Sequence, residues 1–239
     1  MSGKNNVSLV LQNVSHRYGA TGVLNQLSLQ VNAGEVVMLV GPSGCGKTTI
    51  LNLLSGYIQP VSGTVHRTGI IRTVYQQDGL FPWLTVEENI EMGLQTIDDI
   101  SQRKKEKKEL VELIHLEGFE GHYPHELSGG MRQRVELARA LAGQSDILLM
   151  DEPFSALDYQ TRLRMRSELV RILKQRPRTV VFVTHDIEEA AQLADRVLVL
   201  SSRPATICRE LLIHTARPRA LTDNSVIEAM KEILHILGL

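Results

Sequence analysis

Residues 35–56 read EVVMLVGPSGCGKTTILNLLSG. Glu35 to Val40 is an almost unbroken apolar run, the pattern of a strand buried on both faces. It leads straight into Gly41-Pro42-Ser43-Gly44-Cys45-Gly46-Lys47-Thr48, which fits G-x-x-x-x-G-K-[ST]. The segment that follows, TTILNLLSG, has helical spacing. Strand, glycine loop and helix form the first half of a β-α-β unit. Glycines let the backbone curl so that successive N–H groups point at phosphate oxygens, and the helix start adds the positive end of its dipole. Lys47 is expected to reach the β- and γ-phosphates, and Thr48 to offer its hydroxyl to Mg²⁺. Thr49 continues the same helix start. Cys45 sits inside the loop. A reactive thiol at a helix start is one reading; the favoured one is a small residue that fits the turn.

On either side, strands alternate with helices. Val7–Gln12, Leu27–Val31, Ile70–Tyr75, Asp146–Met150, Thr179–Thr184 and Arg196–Leu200 read as strands. Tyr159–Gln175, Ile187–Ala194 and Val226–Leu237 read as helices. This alternation predicts an α/β fold with a mostly parallel sheet. Residues 82–145 hold only helical patterns and read as an inserted helical subdomain. The core is then about 5–81 plus 146–215, with residues 216–239 as a helical extension. The charge run RKKEKKE at 103–109 reads as a solvated helix face.

Composition narrows the class. The chain has 239 residues, 26 Lys and Arg against 27 Asp and Glu, and a formal net charge of −1. That balance argues against a protein that coats nucleic acid. Two cysteines, Cys45 and Cys208, cannot build a disulfide scaffold and point to a reducing compartment. MSGKNN lacks a signal-peptide core. No stretch reaches the ~18 consecutive apolar residues of a membrane span.

Further motifs carry chemistry. Ile147-Leu148-Leu149-Met150 puts Asp151 at the carboxyl end of a buried strand, where open α/β sheets bind ligands. Asp151 is expected to hold Mg²⁺, directly or through water, and Glu152 to act as general base on an attacking water. Leu127-Ser128-Gly129-Gly130-Met131-Arg132-Gln133-Arg134 offers a hydroxyl and bare N–H groups before a helix, a second anion site. A plain helix cap is the alternative for that segment taken alone.

Together these stretches resemble the ATP-binding cassette (ABC) ATPases over about Val7 to Val199. GPSGCGKT and ILLMDE look like that family's Walker A and B motifs, and LSGGMRQR looks like its signature. The resemblance implies a P-loop NTPase with a RecA-like, mostly parallel core, an antiparallel β subdomain and an inserted helical subdomain. It implies that Tyr18 stacks on adenine and that Gln76 senses Mg²⁺ and the transport domain. Ser155-Ala156-Leu157-Asp158 would cross a dimer interface, and His185 would contact the γ-phosphate. The nucleotide set is then Tyr18, Gly41 to Thr49 and Gln76, with Ser128, Gly129, Gly130 and Gln133 from a second copy. The catalytic set is Lys47, Gln76, Glu152 and His185; Thr48, Gln76 and Asp151 hold the metal. Each has a plainer alternative: Tyr18 as a strand-end aromatic, Gln77 in place of Gln76, His185 as a structural histidine. His122 and His125 lack the partners of a zinc site.

QQDGLFPWLTVEEN at 76–89 is similar to bacterial importers, and residues 183–204 look most like the nitrate, sulfonate and taurine group. The resemblance implies ATP and Mg²⁺ as cofactors and a head-to-tail dimer. It also implies a membrane permease docked near Gln76–Trp83, an indirect solute-binding partner, no nucleic acid, and a peripheral place on the cytoplasmic face of the inner membrane. Leu80, Phe81 and Trp83 form either an exposed partner patch or part of the subdomain core. The chain between Gly63 and Val74 is shorter than the group's pattern, as if a hairpin turn were trimmed. The alternative is an ABC-type ATPase acting on nucleic acid through the arginine-studded helix from Arg162 to Arg178. The long coiled-coil insertions of such machines are missing. A regulator that binds ATP without cleaving it is disfavoured by Glu152 and His185.

Overall fold

The computed structural model describes residues 7–75 and 79–239. Nine strands and seven helices are described. Strands β1 (Val7–Tyr18) and β2 (Thr21–Asn32) form a long antiparallel hairpin. The sequence pattern marked only the inner part of each strand. Beyond Gln12 and before Leu27, burial no longer alternates cleanly and the register shifts at bulges. Strand β4 (Ser62–Arg67) adds to β1, giving the order β2-β1-β4.

The second sheet has six strands in the order β5-β6-β7-β3-β8-β9. They are β5 (Ile71–Val74), β6 (Ile147–Asp151), β7 (Thr179–Val183), β3 (Val36–Val40), β8 (Arg196–Leu200) and β9 (Ile207–Leu212). All pair in parallel except β9, which runs antiparallel to β8. Strands β3, β6 and β7 are buried at every residue, as their unbroken apolar runs predict. Side chains of β3 alternate between two cores. Val36, Met38 and Val40 face the larger one with most of the helices, while Val37 and Leu39 face the hairpin and α1 (Lys47–Ser55).

Strands β4 and β9 had no clear apolar signal. Five of the six side chains of β9 are not buried. Across the short 63–74 stretch, β4 and β5 are consecutive strands that lie in different sheets. Gly69 makes the link. Its φ is +104°, and a Cβ there would lie 2.7 Å from Asp146 Oδ2, which accepts a hydrogen bond from the Ile70 N–H.

Between β5 and β6 the described residues form helices α2 (Val86–Gly93), α3 (Ile100–Leu113) and α4 (Gly129–Leu141), and no strand. Thr85 and Glu88 make a reciprocal capping box that starts α2. On α3, Lys105 and Lys108 lie in solvent, while Lys107 pairs with Glu87 and Glu91. After β6 come α5 (Tyr159–Gln175) and, past β7, α6 (Ile187–Leu193). The chain closes with α7 (Asn224–Leu237). Buried Arg219 ties this end to the core by donating to the carbonyl oxygens of Gln192, Ala194, Ile213 and Thr215. Among the described residues no helix is long and apolar enough to cross a membrane.

Candidate nucleotide site

The carboxyl ends of β3, β6, β7 and β8 open on one cleft of about 750 Å³. In such sheets, crossovers diverge on either side of a central strand and leave a crevice there. Here that strand is β3, flanked by β7 and β8.

The loop after β3 forms the floor. Ser43, Gly44, Gly46, Lys47, Thr48 and Thr49 line the cleft. Gly46 has φ +124° and caps α1 with no side-chain hydrogen bond, so the N–H groups of the first turn stay available. A Cβ on Gly46 would come within 2.8 Å of Val23 on β2. Gly41 and Pro42 serve through their carbonyl oxygens, which accept hydrogen bonds from Lys47 Nζ at 2.8 and 3.0 Å. Cys45 points inward and is buried. Burial pushes its thiol up, against the pull of Lys47, which keeps it protonated. The fitted turn residue, not the reactive thiol, is what the fold contains.

Asp151, the last residue of β6, is buried beside Thr48. Burial raises its carboxyl above the usual range; a hydrogen bond with the Thr48 side chain and the charge of Lys47 oppose the rise. Two oxygen donors side by side suit a small hard cation such as Mg²⁺. Among the described residues no three His, Cys, Asp or Glu side chains converge for a metal. A cation at Thr48 and Asp151 would need further oxygen ligands, such as phosphate oxygens.

Glu152 follows with φ +46°, a left-handed conformation that costs a non-glycine residue about 1–2 kcal/mol. Its N–H is held by the Val183 carbonyl, and its own carbonyl accepts from the Ser155 N–H and Oγ. The carboxylate turns into the cleft, where Oε2 lies 2.8 Å from His185 Nδ1. A carboxylate can only accept, so Nδ1 carries the proton in this contact. His185 is well exposed, its side chain 59% accessible, and Tyr18, at the tip of the hairpin, lines the same cleft. The edge of the buried His16 ring meets the Tyr18 ring at 4.8 Å. Gln76 lies outside the described residues.

The signature segment is elsewhere. Ser128 and Gly130 line a different hollow of about 350 Å³, with Arg134 and Thr161. Ser128 is a helix cap, its Oγ accepting the Met131 N–H at 3.3 Å. Gly130 lets α4 approach α5 closely: a Cβ there would meet Thr161 Cγ2 at 2.9 Å. Gly129 and Gln133 belong to the same helix.

Two features were missed in the sequence. Val23 and Arg203 both line the main cleft, although neither belongs to a recognised motif. The second feature is a buried ion cluster under His185. Arg166 of α5, only 2% exposed, pairs with Asp186, Glu188 and Glu189 of the segment after β7. Arg162 joins it at Asp186 and also donates to the Leu157 carbonyl. Other arginines of α5 and its end are similarly engaged, Arg171 with Glu168 and Arg176 with Glu106 and Glu109. The helix that the nucleic-acid alternative would use as a cationic face spends much of its charge on neighbours within the fold.

Sequence comparison agrees with this geometry. The ABC transporter family pattern matches residues 24–155, more than half of the chain. The chain belongs to the ABC transporter family. It is 44% identical to the aliphatic sulfonates import ATP-binding protein SsuB 1 of Rhodococcus jostii (strain RHA1), covering 98% of this chain and 95% of that one. It is 41% identical to the nitrate import ATP-binding protein NrtD of Synechocystis sp. (strain ATCC 27184 / PCC 6803 / Kazusa), covering 90% and 84%. Among solved structures, the ATP-binding cassette MJ0796, as a dimer bound to ADP and Pi, superposes with a TM-score of 0.74 at 32% identity. The match covers 87% of this chain and 100% of that one.

The ion cluster gives this ABC protein a pH signature. Burial pushes the Glu189 carboxyl up to about 7 from its ordinary 4.5, and Asp186 adds to the rise. The Thr184 hydroxyl, Arg166 and Arg162 oppose it. The folded protein thus holds the Glu189 proton more tightly than the unfolded chain does. Stability contributed at this site is full below about pH 4.5 and erodes as pH rises to about 7. Glu189→Gln is expected to remove that erosion. The variant should gain on the wild type between pH 5 and 7 and keep the gain at pH 8. Urea midpoints at four pH values check this; parallel wild-type and variant profiles contradict it.

Proposed function

We propose that this chain is the ATP-hydrolysing subunit of an ABC importer and works as a head-to-tail pair. The observation that carries the hydrolytic reading is the Glu152–His185 contact, set at the mouth of a phosphate loop that holds Lys47 and Thr48. In this reading the γ-phosphoryl lies on the loop N–H groups and Lys47. Glu152 takes a proton from the attacking water, the bond from the γ-phosphorus to the ADP oxygen breaks, and phosphate leaves. His185 fixes the Glu152 carboxylate through Nδ1 and presents Nε2 to the phosphate. Mg²⁺ bound by Thr48 and Asp151 would neutralise phosphate charge; Gln76 is assigned to the same shell. Tyr18 supplies an aromatic face for adenine.

The second half of the reading concerns Ser128, Gly129, Gly130 and Gln133. Ser128 and Gly130 line a hollow separate from the phosphate loop, and Gly129 and Gln133 lie on the helix that Ser128 caps, which supports their use on the nucleotide of a second copy. ATP then bridges two subunits, and hydrolysis removes the bridging group and lets them part. The dimeric form of MJ0796 supports the pairing of two copies. A non-cleavable ATP analogue is expected to convert the protein to a dimer on a sizing column. A pocket closed entirely within one chain in a crystal with that analogue overturns the pairing.

The names of the relatives point to uptake of a small oxyanion such as a sulfonate or nitrate. A permease, served by a solute-binding protein, would hold the subunit at the cytoplasmic face of the membrane. Docking is assigned to the Gln76–Trp83 region. Trp83 is 69% exposed and its ring packs on Phe81, while Leu80 belongs to the core. Buried Asn89 fixes this loop. Its side chain accepts from the Phe81 N–H at 2.8 Å and donates to the Leu84 and Thr85 carbonyls, each at 2.9 Å. An exposed aromatic on a rigid loop is the usual anchor of an interface. Trp83→Ala is expected to weaken permease association by at least tenfold, about 1.4 kcal/mol or more, with ATP affinity retained. Undiminished co-purification with the permease contradicts the docking assignment.

A further inference from the structure

We infer that Arg203 is a nucleotide-binding residue that grips the phosphate chain from the side of the loop opposite Glu152 and His185. The inference rests on the reading of the cleft as an ATP site. The strand order places it: β3 carries the phosphate loop, β7 leads to His185 on one side, and β8 leads to Arg203 on the other. Arg203 lines the same cleft as Lys47, Thr48 and His185. Its Nη2 comes within 2.7 Å of the point a Cβ on Gly44 would occupy, so the guanidinium lies against the loop backbone. Its charge is felt at the Cys45 thiol within the loop.

The segment that carries Arg203 is fixed by its neighbours. The Ala205 N–H donates to the Val23 carbonyl at 2.8 Å, and the Asn25 N–H donates to the Ala205 carbonyl at 3.2 Å. A Cβ on Gly22 would meet the Pro204 ring at 3.9 Å, ordinary van der Waals distance. The backbone at this corner is therefore sewn to the hairpin that bears Tyr18.

No hydrogen bond or ion pair engages the Arg203 side chain among the described residues. The contrast with the other cation of the cleft is direct, since Lys47 is satisfied by the carbonyls of Gly41 and Pro42. A planar guanidinium with five unshared donors, facing a set of inward N–H groups, matches phosphate oxygens and no other part of a nucleotide as well. The base is left to Tyr18.

The test compares ATP and GTP binding to the full-length protein in the presence of Mg²⁺. Arg203→Ala is expected to lower affinity for both nucleotides by the same factor, about tenfold, the worth of one charge-assisted contact. Arg203→Lys, which keeps the charge and loses the fork, is expected to fall between. The side chain is exposed, so the thermal midpoint of each variant without nucleotide should match the wild type. Unchanged affinity in Arg203→Ala overturns the inference, and so does a loss confined to ATP, which would assign the residue to the base. Lys47→Ala is the control for the site itself. If the wild type binds no ATP, or binds it as well without Lys47, the reading of the cleft falls rather than the role of Arg203 within it.

Discussion

Glu152→Gln is expected to lower ATP turnover by about 10²- to 10⁴-fold, the usual worth of a general base. The change is close to isosteric. The amide oxygen can still accept from His185 Nδ1, so the 2.8 Å contact and the ring orientation survive. The left-handed backbone at Glu152 is also unaffected, because its cost does not depend on the side-chain charge. What disappears is the ability to take a proton from water. In the proposed site, binding draws on the loop N–H groups, Lys47, Arg203 and Tyr18, none of which is touched. The variant should therefore hold ATP and accumulate as the nucleotide-bridged dimer. Single-turnover hydrolysis and a sizing column, both with Mg²⁺ and ATP, check the two halves separately. Normal turnover rejects Glu152 as the base. Loss of ATP binding shows instead that the residue helps to hold the ligand.

Arg166→Ala is expected to cost about 3–5 kcal/mol of folding stability, the range for removing one partner from a buried charge cluster. The guanidinium is almost wholly enclosed and serves three carboxylates, those of Asp186, Glu188 and Glu189. Without it, Glu189 remains buried beside Asp186 with only Thr184 and the more distant Arg162 to compensate. The loss should be smaller at pH 5, where Glu189 is already protonated, than at pH 8. Urea unfolding at the two pH values measures both the size and its pH dependence. A loss below about 1 kcal/mol at pH 8 contradicts a net stabilising role. The same cluster lies between the Leu157 carbonyl and the segment that begins at His185. Activity is thus expected to fall along with stability.

These two residues differ in how visible they are in the chain. Glu152 follows a strand of four apolar residues and an aspartate, a pattern that identifies it without coordinates. Arg166 is one arginine among several on α5, indistinguishable by spacing from Arg162 or Arg171. Its burial follows from α6 packing across α5, and nothing local to residue 166 encodes that packing. Arg203 is hidden for a related reason. A lone Arg-Pro after a strand is ordinary loop chemistry until the hairpin is seen to hold it beside Gly44.

The parallel core, the phosphate loop, the acidic pair after β6 and the histidine after β7 are legible in the amino-acid chain without coordinates. Each is written in short contiguous stretches, where strand burial and glycine geometry impose residue types on neighbours. The signature segment is legible there too, although its place on a separate hollow required the folded chain. The reach of the β1–β2 hairpin, the presence of β4 and β9, and the parting of β4 and β5 into different sheets emerge from the folded chain alone. Those strands are partly exposed, so their pairing leaves little apolar pattern behind. The buried ion cluster and the second cation of the cleft belong to the same class. They are contacts between residues far apart in the chain, and charged side chains look alike in a sequence whether they meet a partner or water.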